Sequence, residues 1–176
     1  MLYKYTCAGA ILAAPAPAVA VVASPDASAA APATGTWMVQ PVGTNGSPTS
    51  PFGNRRHPIS KRWLFHSGLD LGSIQGADVV AAAPGVVVAV GRSSSAGINI
   101  KIAHGTIGGY TEVATNYLHL KDTVVAKGQV VEAGQLIAHV GRTGAATKPH
   151  LHFTVLSGKT MLDPQWFIGP IASLRP

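Results

Sequence analysis

The sequence predicts an all-β domain, a sandwich or a rolled antiparallel sheet, on three observations. Apolar residues gather in short runs rich in β-branched side chains. Glycine or proline interrupts the chain between nearly all of these runs. No longer segment keeps the 3.6-residue apolar period of a helix without meeting one of those breakers. Such a pattern belongs to folds built by stacking or rolling sheets.

The strands follow in order. Val79-Val80-Ala81 precedes a glycine-bounded run, Gly85-Val86-Val87-Val88-Ala89-Val90-Gly91, and then Ile98-Asn99-Ile100-Lys101-Ile102-Ala103. Later come Gln129-Val130-Val131, Gln135-Leu136-Ile137-Ala138-His139-Val140 and Leu151-His152-Phe153-Thr154-Val155. A short internal repeat sits among them: Lys127-Gly128-Gln129-Val130-Val131, then Glu132-Ala133-Gly134-Gln135-Leu136-Ile137. Each copy reads as a glycine turn feeding a short apolar strand. Tandem turns of this sort also occur in biotinyl and lipoyl carrier domains. Lys127 and Lys148 are the lysines such a carrier could use, yet neither lies in the Met-Lys type of hairpin that attachment requires.

A chain of 176 residues fits one domain with appended segments, and with 47% apolar and 11% charged residues it can bury a real core. A formal charge of +6 permits attraction to nucleic acid, anionic membranes or an anionic cell wall. Nucleic-acid binding would call for a basic helix, or aromatics interleaved with Lys and Arg, and neither is present. The local cluster Arg55-Arg56 with Lys61-Arg62 reads as a solvated loop able to meet an acidic substrate. Cys7 is the sole cysteine, which excludes an internal disulfide and a cysteine-based zinc site.

Residues 1–29 have the make-up of a secretory signal: Lys4, an apolar stretch from Cys7 to Ala14, and Ala-x-Ala sites at Ala18-Val19-Ala20 and Ala27-Ser28-Ala29. Pro15 and Pro17 argue against a membrane-spanning helix there, and Tyr5-Thr6 do not resemble the residues that precede a lipidated cysteine. The expected product is secreted, periplasmic or associated with the cell wall. Residues 30–48, rich in Ala, Pro and Gly, read as a linker or arm, residues 49–168 as the folded domain and residues 169–176 as a tail.

Three stretches carry chemistry. In Lys148-Pro149-His150-Leu151-His152-Phe153, alternation along a strand puts His150 and His152 on one face and Leu151 and Phe153 on the other. The two imidazoles could both bind a metal, could divide into one ligand and one proton carrier, or could be ordinary surface histidines. In Phe65-His66-Ser67-Gly68-Leu69-Asp70-Leu71, the four-residue spacing returns His66 and Asp70 to one face in either a strand or a helix. With one histidine of the later pair they make three N/O ligands and leave a fourth position open, the pattern of catalytic zinc rather than of all-oxygen Mg²⁺ or Ca²⁺ sites. In Asn116-Tyr117-Leu118-His119-Leu120, period two turns Leu118 and Leu120 inward and Tyr117 and His119 outward.

These elements resemble, in this order, the signature motifs of the lysostaphin-like, LytM-type zinc metallopeptidases, which are peptidoglycan endopeptidases. The matching stretches are "FHSGLDL", "NYLHL" and "GAATKPHLHF". The frame around them agrees: "SPFGNRRHPISKRW", "VVAAAPGVVVAVG", "VVAKGQVVEAGQLIAHVGRTG" and "LDPQWF", together spanning roughly residues 49–167. The resemblance implies a rolled, barrel-sandwich-like duplicated hybrid motif, one zinc ion held by His66, Asp70 and His152, and proton handling by His119 and His150. Tyr117 would be a further candidate for stabilising the transition state. The implied substrate is the stem or bridge peptide of peptidoglycan; the alternative is a LytM-like domain without catalysis that binds the wall or activates another hydrolase. The segment from His104 to Tyr117 looks longer than the family's usual hairpin, and an added loop beside the cleft or a displaced His119 is expected from it. An inhibitory contact from the arm, through Asn45 for example, is a further possibility.

Overall fold

The computed structural model describes residues 37–43, 46–56 and 62–168. The strands are β1 (Ser47–Ser50), β2 (Gly53–Arg56), β3 (Trp63–His66), β4 (Leu69–Gly72), β5 (Asp78–Val80), β6 (Gly85–Ser93) and β7 (Gly97–Ile107). They continue as β8 (Tyr110–Leu120), β9 (Asp122–Thr123), β10 (Val130–Val131), β11 (Leu136–His139), β12 (His150–Ser157) and β13 (Thr160–Leu162). A single 3₁₀ turn, Pro164–Trp166, closes the described chain, with the Asp163 side chain accepting from the Gln165 N–H. The all-β prediction holds, and none of the described helices is long and apolar enough to cross a membrane. The expected export signal, residues 1–29, lies outside the described residues.

An eight-stranded antiparallel sheet runs in the order β1-β4-β12-β8-β7-β6-β10, with β13 added beside β12. A three-stranded sheet, β5-β11-β9, forms the second layer, and β2 and β3 make a separate hairpin. Between the layers lies the core. Leu151, Phe153 and Val155 of β12, Ile100 and Ile102 of β7, and Val87 of β6 are all fully buried, as are Val79, Ile137 and Ala138 of the smaller sheet. Burying one such side chain contributes about 1.5–3 kcal/mol, so alternation along these strands fixes which face each presents.

The tandem repeat is a repeat in structure too. Gly128 and Gly134 both take positive φ, at 89° and 78°. In each copy the glutamine that follows closes the turn twice: its N–H donates back three residues, and its side-chain oxygen accepts from the N–H of that same residue, Ala126 or Glu132.

Two expectations need correction. The folded body begins before residue 49. Met38 and Val42 are buried, the Met38 N–H donates to the Phe167 carbonyl and the Val39 N–H to that of Ala82, and β1 pairs with β4. Alanine and proline content suggested a free arm, but two apolar side chains and a few backbone groups suffice to dock it. The segment after His104 does not form a loop beside the cleft. It is absorbed into the β7–β8 hairpin, whose tight turn uses Gly108 and Gly109 at φ 57° and 84°. That turn sits at the opposite end of β8 from His119.

Candidate metal centre

β4 and β12 lie side by side in antiparallel register, with Asp70 directly opposite His152. Leu69 and Leu71 face the core, so Asp70 faces outward, as His152 does between Leu151 and Phe153. His66 ends β3, two residues before β4 begins, and reaches the same point. The donor atoms converge: His66 Nε2 lies 3.1 Å from Asp70 Oδ1 and 3.1 Å from His152 Nδ1, and His152 Nδ1 lies 2.8 Å from Asp70 Oδ1. Donors held about 2.0–2.1 Å from a tetrahedral zinc stand roughly 3.3 Å apart, so a small ion fits with slight expansion. Among the described residues this is the one group of His, Cys, Asp or Glu gathered closely enough to hold a metal.

The surroundings set which atoms face the centre. The His66 Nδ1–H donates to the Pro51 carbonyl at 2.7 Å, which leaves the Nε2 lone pair free to bind. Asp70 uses Oδ1 toward both imidazoles, while its Oδ2 lies 3.8 Å from Arg55 Nη2. Burial alone would push the Asp70 carboxyl up. The adjoining imidazoles of His152 and His66 outweigh it and hold the group well below the usual carboxylate range. Gly68 makes room for the site. A Cβ there would stand 2.4 Å from the Phe153 carbonyl oxygen, 2.7 Å from Thr154 Cγ2 and 2.9 Å from His152 Nε2.

Two further imidazoles border the centre. The His150 Nδ1–H donates to the Lys148 carbonyl at 2.8 Å, and its Nε2 lies 3.8 Å from Asp70 Oδ1. The His119 Nδ1–H donates to the Thr143 carbonyl at 2.9 Å. The His119 ring centre is 4.9 Å from that of His150 and 6.0 Å from that of His152. Both rings are thus held by Nδ1, and in the neutral form Nε2 is the nitrogen that carries the lone pair. Burial, assisted by the nearby imidazoles, lowers the His119 pKa against the opposing pull of the Thr143 carbonyl and Asp70, which favours the neutral base.

His119 reaches this place by a route that period two does not foresee. Between the pairs Ile100↔Tyr117 and Ile98↔Leu120, β8 spends two residues where β7 spends one. The bulge lets His119 adopt φ 64° and turn toward the centre, while Leu120 returns to the core. Tyr117 thus faces inward, correcting the expectation that it shares a face with His119. It is fully buried, packs on Phe153 at 5.3 Å between ring centres, and accepts the Ala82 N–H at 2.8 Å. Burial pushes its phenol up to about 12. A hydroxyl so engaged inside the core is not available to the reaction.

Arg55, expected in a solvated loop, belongs to β2 and points at Asp70. Lys61 and His57 lie outside the described residues, as does Asn45. Thr143 has no sequence signal of its own; besides orienting His119 through its carbonyl, it donates its hydroxyl to the Leu120 carbonyl and accepts the Ile98 N–H, which pins the bulge. The remaining histidines are structural: His139 donates to Asp122 at 2.6 Å, and His104 joins Pro84 to Thr115.

Comparison with known proteins agrees with this geometry. The model of peptidase family M23 matches residues 64–164, more than half of the chain. The peptidoglycan DD-endopeptidase ShyB of Vibrio cholerae is 39% identical over 118 residues, covering 67% of this chain and 26% of the relative. The DD-carboxypeptidase/endopeptidase Mpg of Neisseria meningitidis is 41% identical over 105 residues, covering 60% of this chain and 23% of its own. The chain therefore spans about a quarter of the length of these curated relatives. Among solved structures, a zinc-containing peptidase from Vibrio cholerae superposes with a TM-score of 0.64 at 34% identity, over 77% of this chain and 39% of that one. The catalytic domain of lysostaphin from Staphylococcus simulans gives 0.60 at 31% identity, over 70% and 92%. With its sheet order, its His-Asp-His cluster and the match across both, the chain belongs to peptidase family M23, of the lysostaphin/LytM type.

Proposed function

We propose that this chain is a zinc-dependent endopeptidase that hydrolyses peptide cross-links of bacterial peptidoglycan, acting in the periplasm or cell wall after export. The observation that carries the reading is one centre combining three donors, His66, Asp70 and His152, with two further imidazoles beside it, each held through Nδ1 by a backbone carbonyl. A wall-binding domain without catalysis would have no use for that second pair. The names of the relatives, peptidoglycan DD-endopeptidases and a zinc-containing peptidase, support the substrate class and the metal. The net charge of +6 suits an anionic wall.

His66, Asp70 and His152 would hold a single zinc ion, with Asp70 binding through Oδ1 because Arg55 draws on Oδ2. When bound, zinc supplies an acidified water and polarises the substrate carbonyl. The chain's own residues handle the protons. One of His119 and His150 accepts the proton of the attacking water at Nε2, and the C–N bond breaks as an imidazolium returns a proton to the leaving amine. Thr143 and Lys148, through their carbonyls, keep both rings in the tautomer this requires.

Elemental analysis of purified variants tests the division of labour. His152→Ala and Asp70→Ala are expected to lose bound zinc. His150→Ala is expected to keep it while hydrolysis of peptidoglycan falls about 100- to 10,000-fold. Full zinc content in His152→Ala, or undiminished hydrolysis by His150→Ala, would overturn the proposal.

A further inference from the structure

Beside the metal centre, the outward face of the large sheet continues across β8, β7 and β6. On β7, Ile100 and Ile102 are buried, which turns Lys101 to the same outward face as Asp70 and His152. Register places Thr154, Asn116, Lys101 and Ala89 in one row across four strands, two residues along from His152. Thr154 is buried, and its hydroxyl accepts the Asn116 side-chain N–H at 2.8 Å. That leaves the Asn116 carbonyl oxygen available to a peptide N–H. Ala89 and, opposite Asn99, Gly91 raise nothing above this floor, so the shelf stays open beyond Lys101.

Lys101 is half-buried in the middle of the sheet. It has no ion pair and no side-chain hydrogen bond among the described residues, although Arg55, His66, His139, His150 and His152 all have acidic partners. An ammonium at the centre of a sheet face, with no counter-charge from the protein, is free to meet an anion that arrives there. Two strand spacings and two residue steps put its Cα about 12 Å from that of His152. An extended peptide covers that in three to four residues, and the lysine side chain shortens the gap.

We propose that Lys101, with Asn116 beside it, forms a subsite for a carboxylate of the peptide substrate two to four residues from the cleaved bond, and that this subsite sets substrate preference. The proposal rests on the peptidase reading above. Two carboxylates could occupy it, a side-chain carboxylate within the cross-linked peptide or the free carboxylate at its end.

Three versions of one cross-linked stem peptide distinguish them: unmodified, amidated on the side-chain carboxylate, and amidated on the terminal carboxylate. The wild-type protein should show a KM about tenfold higher for whichever amide removes the docked group, with kcat little changed. In Lys101→Gln that difference between substrates should collapse to within twofold, and Lys101→Arg should restore it. Zinc content and melting temperature, measured on the same samples, separate a lost subsite from a damaged fold. Equal kinetics on all three peptides by an active wild-type protein would overturn the subsite alone. Inactivity of the zinc-loaded wild type on every peptide would instead overturn the peptidase reading, and the subsite with it.

Discussion

Replacing Gly68 with alanine puts a methyl group where three atoms already stand, and the effect can be worked out from their positions. The added Cβ would lie 2.4 Å from the Phe153 carbonyl oxygen, 2.7 Å from Thr154 Cγ2 and 2.9 Å from His152 Nε2. Two of the three contacts are to a backbone atom and the His152 ring, neither of which can swing aside as a flexible chain end would. β12 must move away from the chain entering β4 by the better part of an ångström. Overpacking of this kind costs about 1–3 kcal/mol, which for a domain of this size lowers the melting temperature by roughly 3–10 °C. The same movement carries His152 away from His66 and Asp70. A displacement of about 1 Å in a catalytic constellation typically costs about 100-fold in rate. Zinc affinity by chelator competition, melting temperature and hydrolysis of purified peptidoglycan should all fall together. A Gly68→Ala protein that binds zinc and cleaves as well as wild type would refute the claim that this glycine holds the centre open.

Tyr117→Phe should lower stability by about 1–3 kcal/mol, since it leaves the buried Ala82 N–H without an acceptor, yet hydrolysis per folded molecule should be unchanged; a loss of kcat with unaltered melting would return Tyr117 to the site. Acid should weaken the fold through His104. Its burial lowers the imidazole pKa below the usual 6.5 despite the hydrogen bond to Pro84, so the unfolded chain binds a proton that the folded chain refuses. Stability is therefore complete above about pH 6.5 and is lost as pH falls below it, by at most about 1.4 kcal/mol per pH unit for that proton. His104 Nε2 lies 2.7 Å from Thr115 Oγ1, which in turn donates to the Tyr117 hydroxyl at 3.1 Å, so a proton gained by the ring disturbs a buried hydrogen-bonded chain. Denaturant unfolding of wild type and His104→Gln across pH 5.5–7.5 checks this, and equal slopes for the two would count against it.

Spacing alone made much of the centre legible. His150 and His152, like His66 and Asp70, are held on one face by strand alternation, and alternation needs only local sequence. The core followed for the same reason, since Leu151, Phe153 and Val155 had to share the opposite face. The turns at Gly128 and Gly134 were legible too, because positive φ there calls for glycine whatever the rest of the chain does.

Other features arose only when distant segments met. Tyr117 and His119 are two apart, as partners on one face should be, yet they lie on opposite faces because β7 and β8 pair through a bulge that Thr143 pins from a third segment. Arg55 gains its role from a carboxylate fifteen positions later, and Met38 and Val42 join the core from a stretch whose composition reads as linker. Periodicity reports the direction a side chain takes relative to its own strand. Register, bulges and docking are settled by the free energy of contacts between strands, and those contacts exist only in the folded chain.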